Sequence, residues 1–185
     1  MQFTPVPTSE RFGGGRFDST KDDPYSFYYA GAEQTTALAE IFLRDELRFN
    51  DWGYRVLPHA AVRGRRISAV LTLRALTLIS LQTGPDLAAV AMSPWLVHGG
   101  ARYEASRAVA RWLRARAPNA DGLIWSSTID LGKQAIVLFE DRCGPRAIRE
   151  LESHPIDLDS DAGVGWLNEA LAPYHTQVRL RRRRA

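Results

Sequence analysis

The stretch from Tyr103 to Phe139 limits the fold more than any other part of the chain. Apolar residues recur at helical spacing from about Tyr103 to Ala117, and Pro118-Asn119 ends that pattern. Two apolar runs follow, Leu123 to Ser126 and Ala135 to Phe139, around a turn containing Gly132, and both read as buried strands. A helix followed at once by two strands points to a mixed α+β arrangement. Within the helix, Ala105, Ala108, Val109, Trp112 and Leu113 are expected to face inward and Arg107, Arg111 and Arg114 outward.

The remaining segments fit the same class. Residues 1 to 24 are rich in Pro, Gly, Ser, Thr and Asp without apolar periodicity and read as loop. Tyr25 to Ala30 is expected to be a strand, after which Thr35 or Thr36 caps a helix running to about Arg48. Leu38, Ile41 and Phe42 form its apolar stripe, with Glu40 and Arg44 one turn apart beside it. Arg63 to Arg66 makes a charged turn into a strand at Ile67 to Leu73, where Ile67, Ala69, Leu71 and Leu73 alternate with more polar positions. Leu76 to Leu81 reads as a second short strand or a buried segment, and Pro85 and Pro94 interrupt the region before the long helix. Residues 154 to 163 read as loop, Gly165 to Leu171 as a short helix and Gln177 to Leu180 as a last edge strand. The expectation is a single α+β domain over residues 1–178 and a basic tail over 179–185.

The tail matters for the charge. Of the 24 basic residues five are Arg179 and Arg181 to Arg184, so the rest of the chain holds 19 against 21 acidic residues. The formal net charge of +3 thus becomes −2 without the tail, and the basic character belongs to a solvated terminus. The longest apolar region, Ile67 to Leu81, is broken by Ser68, Thr72, Arg74, Thr77 and Ser80, and no secretory leader is recognisable, so a soluble cytoplasmic protein is expected. Cys143 is the one cysteine and reads as a small buried apolar side chain. His59, His98, His154 and His175 lie at no metal-ligand spacing, and no metal site is expected.

Three stretches carry chemistry in combination: Gly13-Gly14-Gly15-Arg16-Phe17, Tyr29 ahead of Ala37-Leu38-Ala39-Glu40, and Gly122-Leu-Ile-Trp-Ser-Ser127. A guanidinium grips a pyrophosphate with a bidentate fork, an aromatic ring stacks on a flat heterocycle, and a carboxylate stabilises a ribosyl cation. Each residue also has an ordinary reading. Glu40 and Arg44 make a helical surface pair worth roughly 0.2 to 0.5 kcal/mol. The glycine run follows no strand and opens no helix, so it is not a dinucleotide-binding fingerprint. Ser127 lies just past a strand, and Ser126 alternates to the other face, so at most one of the two points into a given pocket. Neither serine has a nucleophile-elbow setting or a nearby histidine.

Taken together, Arg11 to Arg44 and Tyr103 to Arg142 resemble the RES-domain family, named for its Arg, Glu and Ser. The resemblance implies a compact fold similar to that of ADP-ribosyltransferase toxins. It also implies cleavage of the nicotinamide–ribose bond of NAD, which is substrate rather than cofactor, with no metal required. Such proteins are typically toxins of bacterial toxin–antitoxin pairs, held inactive by an antitoxin with an Xre-like helix-turn-helix domain. Nucleic acid would be reached only through that antitoxin, no membrane is involved, and a homodimer is compatible with the assignment. By position, Arg16 would bind NAD phosphate, Tyr29 would stack on or orient the nicotinamide ribose, Glu40 would stabilise the ribosyl cation or orient the nucleophile, and Ser127 would hydrogen-bond the nicotinamide end.

Two departures accompany the match. The family usually carries a further arginine about 40 residues before the glutamate. Here that arginine is absent, so either the domain is trimmed at its start or this member lacks a phosphate contact, with Arg11 as the available substitute. Trp125 stands where the family often has tyrosine, which exchanges a hydroxyl for an N–H donor. Water or inorganic phosphate is the expected acceptor. An ADP-ribosyltransferase acting on a protein is the alternative enzyme, and an interaction module whose basic tail contacts nucleic acid is the non-enzymatic alternative.

Overall fold

The computed structural model describes residues 15–44, 48–92, 95–98, 103–144, 146–151 and 155–179. In chain order these form β1 (Phe27–Gly31), α1 (Gln34–Phe42), β2 (Arg55–Leu57), β3 (Arg66–Ile67), β4 (Val70–Thr72), β5 (Leu78–Leu81), α2 (Gly84–Ala89) and α3 (Trp95–His98). There follow α4 (Tyr103–Arg116), β6 (Gly122–Ser126), β7 (Gln134–Phe139), α5 (Glu140–Cys143), β8 (Ile148–Glu150), β9 (Ile156–Asp157), α6 (Asp161–Leu171) and β10 (Thr176–Val178).

Four strands make the main sheet in the order β1-β7-β6-β5. The short turn between β6 and β7 dictates an antiparallel pair, and β1 adds antiparallel to β7. β5 and β6 are parallel because a long crossover through α2, α3 and α4 separates them. β7 is apolar along almost its whole length because both of its faces are covered. On one face Val137, Phe139, Leu123 and Trp125 pack with Phe17, Tyr25, Leu96, Ala110 and Leu113. On the other, Ile136 and Leu138 meet Tyr28, Leu78, Cys143 and Ile148. A second core gathers α1, α6, β2 and β10 around Leu38, Phe42, Leu57, Leu167, Leu171 and Val178. This is the α+β single domain the sequence led us to expect.

The long helix forms where its periodicity placed it, with Leu113 buried and Arg111 exposed as expected, but the rest of its burial differs. Ser106, Arg107, Ala110, Leu113 and Arg114 are buried, whereas Ala105, Ala108 and Trp112 are exposed. The two inward arginines are tolerable because carboxylates meet them: Asp23 and Asp141 each lie 2.8 Å from Arg114, and Asp18 lies 3.9 Å from Arg107. The Arg114 guanidinium also lies over the rings of Tyr25, at 3.8 Å, and Phe139, at 4.5 Å.

Other differences are local. α1 stops at Phe42, since Leu43 leaves helical geometry and buries its side chain in the second core. The expected strand at Ile67 to Leu73 divides into β3 and β4, which pair with different partners, β9 and β8. Leu71 and Leu73 are exposed rather than inward. Pro85 opens α2 instead of breaking the chain, in a first turn capped reciprocally by Thr83 and Asp86. The 154–163 region contains β9, α6 begins at Asp161 with Ser160 as its cap, and the last strand covers Thr176–Val178, parallel to β2.

Candidate active site

Arg16 lies on a loop without regular structure, and a buried loop must find partners for its backbone in side chains. It finds them from two directions. The Gly15 N–H donates to Asp18 Oδ2 at 2.6 Å, and the Phe17 N–H donates to the Tyr29 hydroxyl at 2.8 Å. The Tyr25 hydroxyl donates to the Phe17 carbonyl at 2.8 Å, Ser106 Oγ to the Arg16 carbonyl at 2.8 Å, and Arg107 Nε to the Gly15 carbonyl at 3.2 Å. Tyr29 in turn donates to Asp18 Oδ1 at 2.9 Å. Gly15 has to be glycine, because a Cβ there would run into the Tyr29 hydroxyl and the Asp18 carboxylate. The Phe17 ring seats the loop edge-on against Trp125, with 5.2 Å between centroids.

The side chain that emerges from this fixed loop is the Arg16 guanidinium. It is half-buried, and Nη1 donates to the Leu96 carbonyl at 3.0 Å. Burial holds it below the ordinary arginine value; Tyr103 opposes that shift, Arg44 adds to it, and Glu40 and Tyr29 oppose it. These four groups are therefore within electrostatic reach of the guanidinium, which remains cationic throughout the physiological range.

Glu40 arrives from α1. Leu38, Ala39 and Phe42 turn into the second core, which leaves Glu40 half-buried at its margin. Its Oε2 lies 3.9 Å from Nη2 of Arg44, so the ordinary helical pair does exist, but both side chains are partly buried rather than on an open surface.

Tyr29 has its hydroxyl occupied by Phe17 and Asp18. Burial and the nearby Asp18 raise its pKa well above the ordinary tyrosine value, so it is a neutral phenol, and the group left for a ligand is the ring. Ser127 is 2% exposed, and its Oγ accepts from the Ile129 N–H at 3.2 Å and the Asp130 N–H at 3.0 Å. Its oxygen thus braces its own turn. Ser126 Oγ donates to the Gln82 carbonyl at 3.3 Å. The structure therefore places Tyr29 against the Arg16 loop and Glu40 beside Arg44, with both charges felt by Arg16, and sets Ser127 in the turn beyond Trp125, whose ring lies 6.1 Å from that of Tyr29.

Sequence reasoning missed Asp18, Ser106, Arg107 and Tyr103. One signal was available: Ser106, Arg107, Ala110, Leu113 and Arg114 lie on one helical stripe, so Arg107 and Arg114 share the face of Leu113. Arg11, Gly13 and Gly14 lie outside the described residues, as do His154 and residues 180–185 of the tail.

Among the described residues no three His, Cys, Asp or Glu side chains gather as metal ligands, and no helix is long and apolar enough to cross a membrane. Cys143 is buried, and burial pushes its thiol up to about 11.

The family model of the RES domain matches residues 2–161. No curated protein matches the chain in sequence. In fold it is similar to the crystal structure of the M. tuberculosis MbcT–MbcA toxin–antitoxin complex, with a TM-score of 0.55 and 16% identity over 78% of this chain and 72% of that one.

Proposed function

Because the chain belongs to the RES-domain family, we propose that it breaks the nicotinamide–ribose bond of NAD and acts as the toxin of a toxin–antitoxin pair. One observation carries the reading: Arg16, on a loop whose backbone Asp18 and Tyr29 hold, feels the charge of Glu40, which lies 24 residues on in sequence and pairs with Arg44. An anion-binding cation beside a carboxylate and an aromatic ring suits a dinucleotide whose glycosidic bond is to be cleaved.

In this reading Arg16 holds the pyrophosphate, and the ring of Tyr29 borders the nicotinamide ribose. The carbon–nitrogen bond breaks with its electron pair leaving on neutral nicotinamide, and positive charge develops on the ribose, where Glu40 stabilises it. Water then adds to the anomeric carbon and releases a proton, giving ADP-ribose; inorganic phosphate at the same carbon gives the phosphorylated product. Ser127 would hydrogen-bond the nicotinamide end. The cytoplasm, where NAD is abundant, is the compartment this activity requires, and the controlling partner would be an antitoxin with an Xre-like domain.

The test is to incubate the purified chain with NAD, with and without phosphate, and identify the products. Free nicotinamide with ADP-ribose or its phosphorylated form is expected. Glu40→Gln, nearly isosteric but uncharged, should lower turnover about 10²- to 10³-fold with the fold intact. Label transferred to protein would instead identify an ADP-ribosyltransferase, and wild-type turnover by a folded Glu40→Gln protein would return Glu40 to the role of partner for Arg44.

A further inference from the structure

We infer that Asp130, delivered from the turn between β6 and β7, is a positioning residue for Glu40: its carboxylate anchors the first turn of α1 in place of a local cap. The inference rests on the reading of Glu40 given above.

α1 begins without the usual means of satisfying a helix N-terminus. Glu33 at the cap position makes no capping side-chain hydrogen bond, and the first turn holds no acidic residue. The two threonines of that turn do not cap it either. Thr35 Oγ1 and Thr36 Oγ1 both donate to Asp130 Oδ2, at 3.0 and 2.8 Å. Tyr174, packed against the second core, helps hold the Asp130 carboxyl below its ordinary value. Thr36 is completely buried, so its hydroxyl needs that acceptor. A negative charge beside the first turn also complements the helix dipole, which a neutral local cap would do less well.

The anchor is itself fixed. Ser127 Oγ accepts the Asp130 N–H, the Ser127 N–H donates to the Lys133 carbonyl at 2.8 Å, and the Lys133 N–H donates to the Asp130 carbonyl at 3.1 Å. On the outer side Lys133 Nζ pairs with Glu33 at 2.5 Å. Gly31 brings the end of β1 against this helix start so closely that a Cβ would lie 2.5 Å from the Ala37 nitrogen. The turn after β6 thereby sets where α1 begins, and Glu40 follows about 9 Å further along the axis.

A displacement of about 1 Å at a catalytic group can cost about 100-fold in rate. Asp130→Ala should therefore lower kcat for NAD about 10- to 100-fold. KM should stay within about twofold, because the Arg16 loop is held from β1 and α4 and not from this turn. Asp130→Asn keeps an oxygen for both threonines and should recover kcat to within about fivefold of wild type. In a Glu40→Gln background, Asp130→Ala should cost nothing further, whereas a loss of folded protein would lower both backgrounds alike. Hydrogen exchange supplies a readout apart from catalysis: amides of α1 in Asp130→Ala should exchange at least about tenfold faster, with those of β7 unchanged. Should Asp130→Ala not fold, Thr35→Val removes one of the two bonds and should lower kcat about threefold. Unchanged kcat and unchanged exchange of α1, or an equal loss in the Glu40→Gln background, would overturn the inference. Full activity of Glu40→Gln with fast exchange of α1 in Asp130→Ala would overturn the catalytic reading of Glu40 and leave the anchor standing.

Discussion

Arg16 and Glu40, the pair proposed to act in one site, come from segments held by opposite means. The Arg16 loop has no repetitive hydrogen bonding of its own, and five side chains from the following loop, β1 and α4 take up the backbone of residues 15–17. Glu40 sits on a helix that satisfies its own interior, so only its end needs help, and that help comes largely through one carboxylate. The difference teaches where each half is vulnerable. Damage to the loop's partners should appear as lost stability and weaker binding together, whereas damage to the helix anchor should appear in the rate.

The sharpest way to break this comparison is Asp18→Ala. Asp18 is buried, accepts from Gly15 and Tyr29, and lies 3.9 Å from buried Arg107. Removing one member of such a buried charge pair costs about 3 to 5 kcal/mol, so the midpoint in urea should fall sharply and KM for NAD should rise. An unchanged midpoint would show that the loop does not depend on this carboxylate. Tyr29→Phe is gentler, since it deletes only the hydroxyl that the Phe17 N–H and Asp18 share. A loss of about 1 to 3 kcal/mol is expected, with kcat nearly kept because the ring remains. If kcat collapsed while stability held, the hydroxyl would be acting on substrate and not on the loop.

The same contrast separates what was legible in the sequence from what was not. The β6–β7 hairpin and the span of α4 were readable because periodicity and a turn glycine are local signals. The face of α4 was not, since arginines read as solvent-facing unless their carboxylates are known, and Asp18, Asp23 and Asp141 come from distant segments. Arg16, Tyr29 and Glu40 were proposed from the order and spacing of their motifs, and the Tyr29 hydroxyl holds the Arg16 loop through the Phe17 N–H. How they are held was hidden. Local rules read Thr35 and Thr36 as caps, because a hydroxyl near a helix start is seen only against its neighbours, while their acceptor lies 94 to 95 residues away.

A smaller effect tests the turn itself. Ser127→Ala removes the acceptor for the Ile129 and Asp130 N–H groups, whereas Ser126→Ala removes one 3.3 Å bond to a carbonyl. We expect about 1 kcal/mol of lost stability and a clear fall in turnover at Ser127, and less of both at Ser126. A larger loss of activity at Ser126 would mean that the face of β6 bearing Ser126, and not the turn, serves the site.

The smallest effect is one of pH, and its sign follows from the Asp130 anchor. Burial alone would raise this carboxyl, but bonds from Thr36, Tyr174 and Thr35 and the charge of Lys133 outweigh burial and hold it below its ordinary value of 3.8. A group depressed in the folded state contributes stability above its unfolded pKa and loses that contribution as pH falls through the folded value. The stability difference between wild type and Asp130→Asn should therefore be constant near neutrality and shrink as pH drops below about 4. Asp121, held down by Arg74 against the effect of burial, and Asp141, which Arg114 and Arg142 bring below its ordinary value despite burial, also weaken in acid. They do so in both proteins, and their share cancels in the difference. Being partly solvated, Asp130 should account for less than about 1 kcal/mol. Urea unfolding of the two proteins across the acid range measures it, and a difference that stays level or widens below pH 4 would show that the charge of Asp130 does not hold α1.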